Sequence, residues 1–83
     1  MEKTITLSDS IAATRKEIAA TIDSLNEQSL ALMEMRKQRI EENPRFVETE
    51  YYGKSMTASS QIRRTMKDLQ AAYDVLGNIW RTI

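Results

Sequence analysis

The sequence predicts an all-α protein, an antiparallel two-helix hairpin that assembles into a four-helix bundle or larger oligomer. Three observations predict it. Ile62, Met66, Leu69, Tyr73, Leu76, Trp80 and Ile83 form an unbroken 4-3 apolar repeat, the spacing that keeps one stripe on a single helix face. A second run, Ile11, Ile18, Ile22, Leu25 and Leu32, follows helical spacing through the first half of the chain. The chain's one proline stands between the two runs, in Asn43-Pro44.

The first helix is expected over about residues 8–42. Thr6 or Ser8 can accept from its first free amides, and Asp9 suits the positive end of the helix. Asn43-Pro44 is the expected turn, because a residue before proline avoids the α region. Asn as N-cap with Pro at the first helical position also starts a helix well, so the second helix is expected from about residue 44 to residue 83. Gly53 and the run Ser55-Met56-Thr57-Ala58-Ser59-Ser60 weaken that helix. The competing expectation is a kink or loop at 53–57, leaving 44–52 as a short helix of its own. If the chain reverses at Asn43-Pro44, facing residues have numbers summing to about 87. Leu25 then meets Ile62, Ile22 meets Met66, Ile18 meets Leu69, Ile11 meets Leu76 and Leu7 meets Trp80. Ser29 falls with Ser59 and Leu32 with Ser55, so the poorer positions fall together. The whole chain, residues 1–83, is read as one domain.

Both apolar stripes are wider than a two-helix seam needs. Ala72, Val75 and Ile79 widen the second, and Ala12, Ala19, Leu30 and Met33 widen the first. Apolar surface of that width is usually covered, so a homo-oligomer is expected, with a different protein partner as the other use of the surface. With 83 residues and no cysteine, the chain is a small domain without disulfide or thiolate-metal support. It also has no histidine, the commonest general base and metal ligand. Twelve basic residues balance twelve acidic ones, which argues against neutralising a nucleic-acid backbone. Residues 1–43 hold 6 basic and 8 acidic side chains and residues 44–83 hold 6 and 4, a mild complementarity that suits two helices side by side. Residues 1–10 are polar, with no apolar signal-peptide core, and no stretch approaches the roughly 20 apolar residues of a membrane span. The expected location is the cytoplasm.

Catalysis has little to stand on. The carboxylates are scattered at surface spacing, and no serine has a basic orienting partner of the triad kind. No carboxylate-dense loop exists to hold a metal, and no cofactor is expected. Gly53-Lys54-Ser55 looks like the end of a phosphate-binding loop, but Glu48 stands where that motif's first glycine would be and no strand precedes it. The basic clusters Arg36-Lys37-Gln38-Arg39 with Arg45, and Arg63-Arg64 with Lys67, are separated and lack interleaved aromatics, so solvated helix faces are the plainer reading and nucleic-acid binding is disfavoured.

Two candidate surfaces remain. Tyr73, Val75, Ile79 and Trp80 on the second helix, with Arg81 and Arg15 as polar companions, have the aromatic and arginine character of a protein-binding surface. Arg15 falls opposite Tyr73, where its stem can cover the ring. Separately, a polar layer interrupts the seam where Arg36 and Ser29 meet Tyr52, Ser55 and Ser59, with Tyr51 beside them. Buried polar groups need partners, so this layer is internally bonded, wet, or a site for a small anionic ligand such as a nucleotide, held by Arg36, Tyr51, Tyr52, Ser55 and Ser59.

In size and composition the chain is similar in general style to small phage and mobile-element accessory proteins. That resemblance implies binding and inhibition of a host factor, or sequestration of a nucleotide messenger. No motif carries it, and it assigns no residue. The expected function is therefore a non-enzymatic interaction module, with an oligomeric ligand-sequestering protein as the alternative.

Overall fold

A computed structural model describes residues 6–83. The expectation drawn from the polar start of the chain rests partly on residues 1–5, which lie outside the described residues. Helix α1 runs Leu7–Glu42, a 3-10 segment covers Pro44–Glu48, and helix α2 runs Glu50–Thr82. The two long helices pack antiparallel into a hairpin measuring 65 × 19 × 16 Å. No strand occurs among the described residues. Among them, too, no helix is long and apolar enough to cross a membrane.

Thr6 caps α1, its Oγ1 accepting from the Asp9 amide at 3.0 Å, which occupies one of the four free donors of the first turn. Helix α1 ends where Asn43 turns extended ahead of Pro44. Asn43 does cap the next segment, its Oδ1 accepting from Arg45 N at 3.1 Å, but that segment is not α2. The second helix, expected from residue 44, begins instead at Glu50. Pro44–Glu48 closes as 3-10 turns, with Phe46 N on Asn43 O at 2.8 Å and Thr49 N on Phe46 O at 2.9 Å. Thr49 then becomes the N-cap of α2, accepting from Tyr52 N at 3.2 Å while its own hydroxyl donates to Phe46 O at 2.7 Å.

The longer reversal has a physical reason in Phe46. The tight segment folds this ring under the end of the hairpin, where it is buried against Tyr52 edge-to-face at 5.9 Å, with the Arg39 guanidinium 5.9 Å from its centroid. A helix starting at Pro44 would carry Phe46 along its own axis instead of across the gap between helices. No kink or loop appears at 53–57: α2 is continuous through Gly53, where the intrinsic cost of glycine is about 1 kcal/mol.

Burial follows a 4-3 rhythm on both helices. On α1, Ile11, Ser29 and Arg36 are buried, and Arg15, Ile18, Ile22, Leu25 and Leu32 are half-buried between them. On α2, Ser55, Ser59 and Gly77 are buried, and Ile62, Met66, Leu69, Tyr73 and Leu76 are half-buried. The level of the pairing differs from expectation near the closed end. A reversal at Asn43-Pro44 would set Arg36 level with Tyr51, whereas Arg36 reaches Ser55 and Ser59. The length of the arginine side chain spans that difference, and at the other end Arg15 meets Tyr73 at the expected level. The apolar core itself is thin: Ile11 and Phe46 are its buried hydrophobic side chains among the described residues.

Candidate functional site

The polar layer is closed by an arginine. Arg36 is buried, and its Nη1 donates to the Ser55 carbonyl and to Ser59 Oγ, both at 2.9 Å. Ser59 is the most buried side chain of the hairpin, at 1% exposure. Ser55 Oγ donates back to Tyr52 O at 2.9 Å, the usual local use of a helical serine. No buried side-chain nitrogen or oxygen among the described residues lacks a partner. The layer thus brings Arg36, Tyr52, Ser55 and Ser59 together: Arg36 Nη1, the Ser55 carbonyl and the Ser59 hydroxyl hold α1 to α2, while the Ser55 hydroxyl bonds to Tyr52 O within α2. Tyr51 is not part of it. Its side chain is exposed and lines a separate groove with Met35, Arg39 and Phe46. Beside the layer, Met33, Arg36, Lys37, Ile40, Glu41 and Tyr52 line a shallow open groove of about 390 Å³.

A second arginine works at the other end. Arg15 donates from Nε to the Tyr73 carbonyl at 3.1 Å, and its guanidinium carbon sits 3.9 Å from the Tyr73 ring centroid. Space for it exists because residue 77 has no side chain. A Cβ there would lie 2.5 Å from Arg15 Nη2 and 2.8 Å from Cζ. Arg15 and Tyr73, two of the six residues proposed from sequence for partner binding, are therefore engaged with each other inside the hairpin. Gly77 and Phe46 were not among the candidates. A glycine on a helical apolar stripe was the available signal for the first. The second is a lone ring just past the proline.

The other four lie on the surface near the open end. Val75 is 56% exposed, and Ile79 and Trp80 are each 42% exposed. Arg81 is exposed and pairs with Asn78 one turn back. Leu7 and Ile83 are exposed at the same end, so Trp80 is not buried against Leu7 within one hairpin. Two helices cover an indole on one side only, although Trp80 keeps its place on the heptad line. Elsewhere Leu30, Met33 and Met56 are exposed. No group of three or more His, Cys, Asp or Glu side chains with metal-binding placement occurs among the described residues.

The two ion pairs recorded among the described residues, Arg45–Glu48 at 3.4 Å and Lys54–Glu50 at 3.1 Å, are each local to one element and solvent-exposed. Neither joins α1 to α2, so the mild charge difference between the halves is not expressed as contacts. Such exposed pairs contribute about 0–1 kcal/mol.

Comparison with known proteins adds nothing to this geometry: no protein-family model, no curated protein and no solved structure matches the chain.

Proposed function

We propose that the chain is a non-enzymatic helical interaction module that docks the open end of its hairpin into an apolar groove on another protein. The observation that carries this reading is the concentration of uncovered apolar side chains there. Leu7, Val75, Ile79, Trp80 and Ile83 are all exposed, at one end of a rod 65 Å long. Tryptophan in such a group, with an exposed arginine such as Arg81 next to it in the chain, has the composition of a binding hot spot. The chain's size and composition agree with the inhibitory form of this role, the obstruction of a host factor by a mobile-element accessory protein. The alternative use, sequestration of a small anionic ligand at Arg36, is less favoured because Arg36 Nη1 and both serines already serve the seam.

The test is comparative capture with direct measurement of affinity. A partner retained by the wild type is purified, and its affinity is measured against Trp80→Ala and against Met56→Ala, an exposed apolar change outside the open end. Trp80→Ala should weaken binding by about 30-fold or more, as hot-spot residues do, while Met56→Ala leaves it unchanged. Equal affinity of wild type and Trp80→Ala would remove the open end as the binding surface.

A further inference from the structure

The hairpin has two long flanks, and one of them carries no charge. Residues one position before the seam residues Arg15, Ile22, Ser29 and Arg36 share one flank with their counterparts on α2, since antiparallel neighbours set these positions side by side. On α1 they are Leu7, Thr14, Thr21, Gln28 and Met35; on α2 they are Tyr51, Ala58, Thr65, Ala72 and Ile79. Met35 and Tyr51 line one groove, which shows the two sets on the same side. Not one of these residues is charged, in a chain that is 29% charged. The equivalent positions of the opposite flank are Ala12, Ala19, Asn26, Met33 and Ile40 on α1 and Met56, Arg63, Gln70 and Gly77 on α2, with one charge, Arg63, within a turn of the middle of α2.

Positions beside the seam of a free-standing helix pair usually hold Glu and Lys that bridge between the helices. Here they hold neutral residues, and no recorded ion pair crosses. The polar members of the flank are already partly engaged. Thr21 Oγ1 donates to Glu17 O at 2.9 Å, and Gln28 Nε2 donates to Ser24 Oγ at 3.3 Å. Covering them therefore strands few donors.

The chain also exposes too much surface for its mass. A compact folded chain of 9.6 kDa exposes about 5100 Å², whereas this one exposes 6410 Å². The excess of roughly 1300 Å² is larger than the ~800 Å² that each partner contributes to an interface of standard size. A contact between two copies about a two-fold axis brings the same patch against itself, so any charge there approaches its like. A flank without charges is what self-pairing requires.

We infer that the neutral flank through Thr21, Thr65 and Ala72 is the interface with a second copy of this chain, two hairpins forming a four-helix bundle. The inference deepens the interaction-module reading by naming one partner. The two fail separately, because mass reports on the flank and the effect of Trp80→Ala on a captured partner reports on the open end.

Ala71 and Ala72 are adjacent and both exposed in the single hairpin, but only Ala72 lies on the neutral flank. Sedimentation equilibrium of the wild type should give twice the 9.6 kDa chain mass. Ala72→Glu should raise the dimer dissociation constant by about 30-fold or more, and Ala71→Glu should leave it within about threefold. The wild-type Tm should also rise with protein concentration, a readout that needs no variant. A one-chain mass with a concentration-independent Tm overturns the inference. So does an equal response to the two glutamates.

Discussion

The two glycines of α2 should respond to the same substitution with opposite sign. A Cβ added at Gly53 meets nothing within 4 Å, so Gly53→Ala gains helix propensity of about 1 kcal/mol. Gly77→Ala gains the same amount but places its methyl 2.5 Å from Arg15 Nη2. The backbone of α2 is held along its length, so the guanidinium is what moves. Leaving its seat, Arg15 gives up the bond to Tyr73 O at 3.1 Å and the contact with the Tyr73 ring at 3.9 Å. A hydrogen bond from a charged donor contributes about 1.5–3 kcal/mol and a partly exposed cation–π contact about 0.5–1 kcal/mol. Set against the propensity gain, the net loss is roughly 1–3 kcal/mol. In a domain of this size that lowers Tm by about 4–24 °C, whereas Gly53→Ala raises it by about 4–8 °C. Thermal unfolding monitored by far-ultraviolet circular dichroism, at one fixed protein concentration, reads both. In an Arg15→Ala background the sign at residue 77 should reverse, because only the propensity gain remains. A Gly77→Ala protein more stable than wild type would refute the idea that this glycine exists to seat Arg15.

Two further outcomes concern the closed end. Arg36→Ala should cost about 2–3 kcal/mol, because it strands the Ser59 hydroxyl at 1% exposure; adding Ser59→Ala should recover part of that loss, and strict additivity in urea unfolding would mean the bond contributes nothing. Thr49→Ala removes the cap of α2 and the donor to Phe46 O together, so it should cost about 1–2 kcal/mol, against about 0.5 kcal/mol or less for the exposed Thr57→Ala.

Much of this architecture was legible in the residues, for a definite reason. Periodicity is local, so Ile11 to Leu32 and Ile62 to Trp80 announce two long helices and the faces they bury. Arg15 opposite Tyr73 could be placed from the same spacing. The reversal was less legible because Asn43-Pro44 starts a 3-10 turn as well as an α-helix. Which of them forms is decided by Phe46, whose burial belongs to no period. The polar layer was visible as Ser55 and Ser59 on the seam, but not its closure, since only three-dimensional structure shows an arginine aimed at a carbonyl. Gly77 was the least readable of all: its reason lies on the other helix.

The hydrogen bonds that tie α1 to α2 differ widely in the length of chain they close. Arg36 reaches residues 19 and 23 positions away, while Arg15 reaches one 58 positions away. Loop closure costs grow with that separation, so the hairpin should zip from Phe46 outward, with the Arg36 layer forming early and the Arg15 clamp last. Opening should run in reverse, giving amide exchange that quickens towards Leu7 and Thr82. Trp80 would then sit on the part of the molecule that separates most readily. Local splaying of the helix ends would uncover more of the indole without unfolding the rest, and the Arg15–Tyr73 latch would set how often that happens.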